Sequence, residues 1–289
     1  MGKTLVLAID PQNDFAHPQG NLFVPGADLD MNRFASFINN NIKKIDEIHV
    51  TLDSHHEVDI AHPIFWVNSK GEHPKIFTII SYKDVKDGVW SPTLTGMKDW
   101  CLYYTEELEK GKRYPLCIWP PHCRIGHAEK KPVLNNGTSV KVNGKELTYD
   151  FCGYATTESM SSALSNWAKT KIRTVNFVSK GSNPKVENYS VVKAEVPDPN
   201  DITTQVNTNF VQMIERGSTI FVGGEALSHC LCNSVQDLDQ CFGNDQIKKF
   251  VLLIDCCSNV PGFESFGEKF INEFTAKGMR VMKSTEVKL

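Results

Sequence analysis

Ile220-Phe221-Val222-Gly223-Gly224-Glu225-Ala226-Leu227-Ser228-His229-Cys230-Leu231 is the segment that decides how this chain folds. An apolar run meets two glycines, and the spacing then changes from that of a strand to that of a helix, with Leu227, Cys230, Leu231, Val235 and Leu238 on one face. Strand, sharp turn and helix make the unit of a parallel sheet, because parallel neighbours need a crossover.

The same alternation runs outward from this segment in both directions. Apolar, β-rich runs stand at Leu5 to Ile9, Ile45 to Leu52, Ile172 to Val178, Ser218 to Val222, Phe250 to Ile254 and Met279 to Met282. Between them, Phe34, Phe37, Ile38 and Ile42 share a helical face, as do Phe263, Phe266, Phe270, Ile271 and Phe274, with Gly278 as a C-terminal cap. The pattern predicts a doubly wound, mostly parallel six-stranded sheet with helices on both faces, and a site at the carboxyl ends of its strands. One domain over 1-289 is expected, carrying loop-rich insertions at about 63-118 and 124-155. The second insertion contains Asn143-Gly144 between alternating residues, a type I′ hairpin signal.

Composition narrows the function. The 289 residues are 40% apolar and 22% charged with a formal charge of -3, so neither disorder nor a nucleic-acid or acidic-membrane partner is indicated. No run approaches the roughly 20 apolar residues of a membrane span, and the N-terminus lacks a secretory pattern. Nine cysteines without a regular framework read as reduced thiols of a cytoplasmic protein.

Four places carry candidate chemistry. Asp10 ends the first strand, where an acid either reaches the cleft or caps a turn. Asp53 and His55, two apart at the end of the second strand, point to one side, and His62 and His122 add nitrogen ligands from loops, a set suited to zinc, iron or manganese. Lys180 closes an otherwise apolar strand and either holds a neighbouring anion or snorkels to the surface. Cys230 falls in the first turn of its helix, where backbone N–H groups and the helix dipole should lower the thiol's pKa and cradle an oxyanion, unless the sulfur is a core filler.

These pieces stand in a recognisable order. Asp10-x-Gln12-x-Asp14-Phe15, Asp53-x-His55 with His62, Trp119-Pro-Pro-His122-Cys123, Lys180-Gly181 and Gly224-x-Ala226-x-x-x-Cys230 span most of the chain. Together they resemble the isochorismatase-like cysteine hydrolases, and look most like the nicotinamidase branch. The resemblance implies a three-layer fold, an Asp10, Lys180 and Cys230 triad, and one divalent metal ion, zinc before iron or manganese, on Asp53, His55, His62 and His122. It further implies a cis peptide joining Glu225 to Ala226 at an oxyanion hole, and Phe15, Trp119 and Tyr189 around a planar substrate. The implied reaction is nicotinamide and water to nicotinate and ammonia, with a small amide as the only partner beyond self-association into a homo-oligomer. A related amidase with a reshaped pocket and a silent, metabolite-binding relative are the alternatives. Four features depart from the pattern, one being Val191-Val192 in place of the phenylalanine that commonly follows Tyr189-Ser190. The insertions are long, Ser228 stands where an acid is common, and Glu225 sets a carboxylate beside the expected hole.

Overall fold

The computed structural model describes residues 2–243 and 245–289. Its centre is a six-stranded sheet of β1 (Lys3–Ile9), β2 (Glu47–Asp53), β3 (Asn176–Lys180), β4 (Gly217–Gly224), β5 (Phe250–Leu253) and β6 (Arg280–Met282), in the spatial order β3-β2-β1-β4-β5-β6. Every pairing is parallel, so the expected sheet is present without an antiparallel member. β1 and β4 lie at the middle, and Leu5, Leu7, Ile9, Ile220 and Val222 are fully buried, as strands covered on both faces must be.

The helices are α1 (Ala27–Asn40), α2 (Lys98–Gly111), α3 (Glu158–Lys171), α4 (Thr208–Glu215), α5 (Cys232–Cys241) and α6 (Glu264–Ala276). In α1, Met31, Phe34, Phe37 and Ile38 form the buried stripe, and in α3 Met160, Ala163, Leu164 and Trp167 do the same. The Thr157 hydroxyl caps α3 by accepting the Met160 N–H. Chain order runs leftward from β1 through β2 to β3, then jumps to β4 and runs rightward. Right-handed crossovers therefore put α1 and α3 on one face and α4, α5 and α6 on the other. The reversal falls between β1 and β4, which opens a crevice at their carboxyl ends.

The segment 63–118 is more ordered than its composition suggested. It holds the 14-residue helix α2 and a short helix at Tyr82–Lys86, whose Ser81 and Asp84 form a capping box. Phe65, Trp66, Ile80, Val85, Cys101, Tyr104 and Leu108 build a satellite core with Val186, Ala194 and Val196. The aromatic and aliphatic spacing of α2 was hidden because its stripe faces this small core and not the sheet. In the second insertion, Val142 pairs with Lys145 around Asn143 and Gly144, both at positive φ (50° and 78°), as a type I′ turn requires.

Gly224 shows why β4 must end as it does. Its φ is +116°, and a Cβ there would lie 1.9 Å from the Ile9 carbonyl oxygen, which accepts the Glu225 N–H at 2.8 Å. Gly224→Ala is expected to destabilise the protein by about 3 kcal/mol or more, from backbone strain plus overpacking. Thermal unfolding measures it, and an unchanged midpoint would contradict this close approach of β1 and β4.

Candidate active site

Asp10, Lys180 and Cys230 come from the carboxyl ends of β1, β3 and β4, or from the turn that follows them, far apart in sequence. Asp10 follows β1 at φ +42°, Lys180 is the last residue of β3, and Cys230 lies six residues beyond Gly224. All three are buried. The Lys180 ammonium is 3.0 Å from Asp10 Oδ2 and donates to Asp53 Oδ1 at 2.8 Å, to the Asn188 carbonyl at 2.9 Å and to Cys230 Sγ at 3.6 Å. With three N–H groups directed elsewhere, its contact with Asp10 is ionic. Asp10 Oδ2 therefore accepts no hydrogen bond among the described residues, whereas Oδ1 accepts the Thr51 hydroxyl at 2.5 Å.

The electrostatics differ from the sequence expectation at one point. Burial pushes the Cys230 thiol well above its ordinary range, and although Lys180 pulls it down, Asp10 and Asp53 push it up again. The expected fall in pKa does not occur, because dehydration of a sulfur in a closed crevice outweighs the helix dipole. The backbone differs too. Cys230 sits in a single π-helical turn over Leu227–Leu231, where the Leu231 N–H reaches back to the Ala226 carbonyl, and the regular helix α5 begins only at Cys232. Burial also raises the Asp10 carboxyl, against the pull of Lys180. Lys180 loses solvation as well, but Asp10, Asp53 and Cys230 more than restore its proton.

The second cluster lies on the other side of Asp53. One ring nitrogen of each of His55, His62 and His122 falls within 4.8 Å of the others, and all three rings are buried. His55 Nε2 is 3.1 Å from Asp53 Oδ2, and His122 Nε2 is 3.4 Å from the same oxygen. The outer nitrogens are tied back. His122 Nδ1 donates to the Pro120 carbonyl at 2.7 Å, and His55 Nδ1 meets Asp59 Oδ2 at 3.0 Å. Such ties turn the Nε2 lone pairs inward, as outer-shell partners of metal-binding histidines do. His62 has both ring nitrogens buried with no partner among the described residues. Burial, then the neighbouring His55 and His122, keep it neutral. Two ring nitrogens turned inward, a carboxylate and an orphaned buried imidazole suit a divalent cation.

Between the two clusters is a pocket lined by Phe15, Leu22, Asp53, Trp119, His122, Glu187, Tyr189, Ala226, His229, Cys230 and Val260. The three expected aromatic residues are therefore at its wall, with Trp119 Nε1 donating to the Tyr189 hydroxyl at 3.1 Å. The Glu225–Ala226 bond is cis, and the Ala226 N–H has no acceptor among the described residues. The Glu225 carboxyl does not face the hole. It is buried on the far side, where Oε2 accepts the Ser258 N–H at 3.2 Å, and burial, then the neighbouring Asp30, push its pKa well above the ordinary carboxylate range. The sequence places that carboxylate beside the hole because it gives the position of the residue but not the direction of its side chain.

Gln12 and Asp14 hold these parts in register. Gln12 exchanges hydrogen bonds with the Asp53 backbone at both ends, 2.7 and 3.0 Å, and Asp14 accepts the Cys123 N–H at 2.6 Å and the Asn21 N–H at 2.9 Å. The turn after β1 is thus tied to the end of β2 and to the His122 loop. Four residues that face the site escaped the sequence reading. Thr51 was legible in principle, since it is two residues before Asp53 and shares its side of the strand. Asp59, Glu187 and His229 were not, for each is defined by what it faces. Glu187 lines the pocket with Oε2 buried and unpartnered among the described residues, and burial, opposed by His55, pushes its carboxyl up to about 7.

No family model matches the chain, and no curated protein sequence is similar to it. Solved structures are similar in fold. The yeast nicotinamidase Pnc1p shares 17% identity at a TM-score of 0.59, with 97% of this chain and 99% of that one covered. The nicotinamidase/pyrazinamidase of Acinetobacter baumanii shares 18% at 0.59, with 99% and 98% covered. The chain has the fold of the nicotinamidases. The pyrazinamidase of Pyrococcus horikoshii, solved in complex with zinc, shares this nicotinamidase fold at 15% identity and a TM-score of 0.51, with 97% and 99% covered.

Proposed function

We propose that this protein is a metal-containing cysteine amidohydrolase that converts nicotinamide and water to nicotinate and ammonia. The observation that carries the reading is the convergence of Cys230 Sγ, the Lys180 ammonium and an Asp10 oxygen without a hydrogen bond at the head of an aromatic-walled pocket. A core-filler cysteine has no need of a buried ion pair beside it.

The chemistry follows from these positions. Asp10 Oδ2 takes the thiol proton as sulfur bonds to the amide carbon, and Lys180 compensates the negative charge as it moves from Asp10 to sulfur. Burial raises the Asp10 carboxyl, which makes it a stronger base than an exposed carboxylate. The carbonyl oxygen gains the electron pair and is held by the free Ala226 N–H. Asp10 then gives its proton to the amide nitrogen, the carbon–nitrogen bond breaks, and ammonia leaves a thioester on Cys230. Water loses a proton to Asp10 as its oxygen bonds to the acyl carbon. The carbon–sulfur bond breaks, sulfur recovers that proton, and the acid departs.

Asp53, His55, His62 and His122 would hold the cation, which would supply a Lewis-acidic partner for the ring nitrogen of the substrate and so fix the ring's orientation. Phe15, Trp119 and Tyr189 supply the flat walls that exclude water and bracket the ring. His62→Ala is expected to lower bound metal at least tenfold, measured by elemental analysis of the purified protein, because a cation would lose one of three nitrogen ligands. Equal metal content in both proteins would remove His62 from the site.

The deciding experiment is ammonia release from nicotinamide, pyrazinamide and simple aliphatic amides by the metal-loaded protein. Turnover of nicotinamide well above acetamide is expected. A loaded protein that releases ammonia from no aromatic carboxamide would end this reading.

A further inference from the structure

Ser228 and His229 stand immediately before the nucleophile and take no part in the steps above. His229 lines the same pocket as Cys230 and is 3% exposed. Its ring lies among those of Tyr114, Trp119, Tyr189 and Phe263, with centroids 4.8, 5.4, 5.2 and 4.7 Å away. Burial pushes its pKa down to about 3, so the imidazole is neutral and carries a single proton. Which nitrogen holds that proton is decided by what the other nitrogen meets.

Here the surroundings decide it. His229 Nδ1 is 2.9 Å from Ser228 Oγ, and that oxygen accepts the Val260 N–H at 3.0 Å. Among the described residues the Ser228 hydroxyl proton has no other acceptor than Nδ1. If the hydroxyl donates to Nδ1, the ring proton sits on Nε2 and one polar group stays unmet. If Nδ1 carried the proton, both the hydroxyl proton and the Nε2 lone pair would be unmet. Each buried unmet group costs on its own, so the first arrangement wins. Nε2 is itself buried and without a partner among the described residues. His229, which lines the pocket, therefore carries a dehydrated N–H with nothing to bind among the described residues.

We propose that His229 is a specificity-determining residue whose Nε2–H selects aromatic carboxamides bearing a hydrogen-bond acceptor on the ring edge that faces it, and that Ser228 sets this tautomer. The proposal rests on the carboxamide reading above. A ligand with a ring nitrogen or small acceptor at that edge satisfies the donor, and a ligand with a C–H there leaves it buried and unpaired, which is the stronger source of discrimination. Chemistry predicts the reverse for an acid at position 228. A carboxylate accepts both the Val260 N–H and an Nδ1–H, which makes Nε2 an acceptor.

Two measurements test it. Long-range proton–nitrogen spectra of the metal-loaded, ligand-free protein report the tautomer directly. Nε2–H is expected in the wild type, Nδ1–H in Ser228→Asp, and loss of the bias in Ser228→Ala should the acid variant fail to fold. Calorimetric binding to a metal-loaded Cys230→Ala protein then compares benzamide with carboxamides in which each ring C–H is replaced in turn by nitrogen. Two ring positions are expected to tighten binding about tenfold. One gain should vanish with His62→Ala, and the other with His229→Phe, which keeps the ring and removes the donor. An Nδ1–H wild type overturns the proposal outright. An Nε2–H wild type with no gain sensitive to His229→Phe overturns the selectivity. If no aromatic carboxamide binds, the hydrolase reading falls and the selectivity with it, while the spectra still decide the role of Ser228.

Discussion

Cys230→Ala is expected to lower ammonia release from nicotinamide by about four orders of magnitude or more, a loss typical of removing a covalent nucleophile. Alanine keeps the π-helical turn and its contacts, and the histidine cluster lies beyond Asp53, so bound metal and melting temperature should stay close to those of the wild type. That combination matters more than the loss alone. A variant that lost metal along with activity would show that the sulfur supports the cation site. A variant that kept a tenth of the activity would show that water is activated directly and no thioester forms. Burial raises the thiol pKa, so alkylation of Cys230 at neutral pH should be slow in the free protein. In the proposed scheme activation comes only when Asp10 takes the proton as the carbon–sulfur bond forms.

Lys180→Met is expected to cost both activity and stability. The ammonium lies 3.0 Å from Asp10 and 2.8 Å from Asp53, all within a dry crevice. Without it two buried carboxylates face each other uncompensated, and breaking a buried pair in this way costs about 3–5 kcal/mol. The melting temperature in the presence of a chelator, where no cation can offset Asp53, should fall by roughly 10 °C for a chain of this size. Turnover should fall about a thousandfold, because the charge that offsets the developing thiolate is gone. A variant as stable as the wild type would mean that the two acids carry no charge in the folded protein, and the proton-transfer scheme would have to be redrawn.

Legibility in the sequence varied with the kind of feature. The six strands of the sheet could be placed to within a few residues because a strand covered on both faces needs an unbroken apolar run, and Leu5 to Ile9 or Phe250 to Ile254 have few other uses. The helix over 98–111 was missed because its apolar stripe serves a satellite core that only the fold creates. Asp10, Lys180 and Cys230 were legible as candidates because each is a polar residue at the end of an apolar strand or in the turn that follows one. The downward shift assigned to the thiol was wrong. The dipole of a helix start can be read from sequence, whereas the depth of burial that opposes it cannot.

By itself the sequence determined the alternation of strand and helix, the parallel sheet that follows from it, and the ligand chemistry available after the second strand. Periodicity and residue type are local properties, and local properties survive in a linear string. Only the tertiary structure decided that three strand ends separated by 170 and 50 residues meet at one ion pair, that the Glu225 carboxyl turns away from the pocket, and that the Ser228 hydroxyl chooses the proton on His229. Those are questions of direction and of which groups lose water together, and they have no answer until the chain has closed on itself.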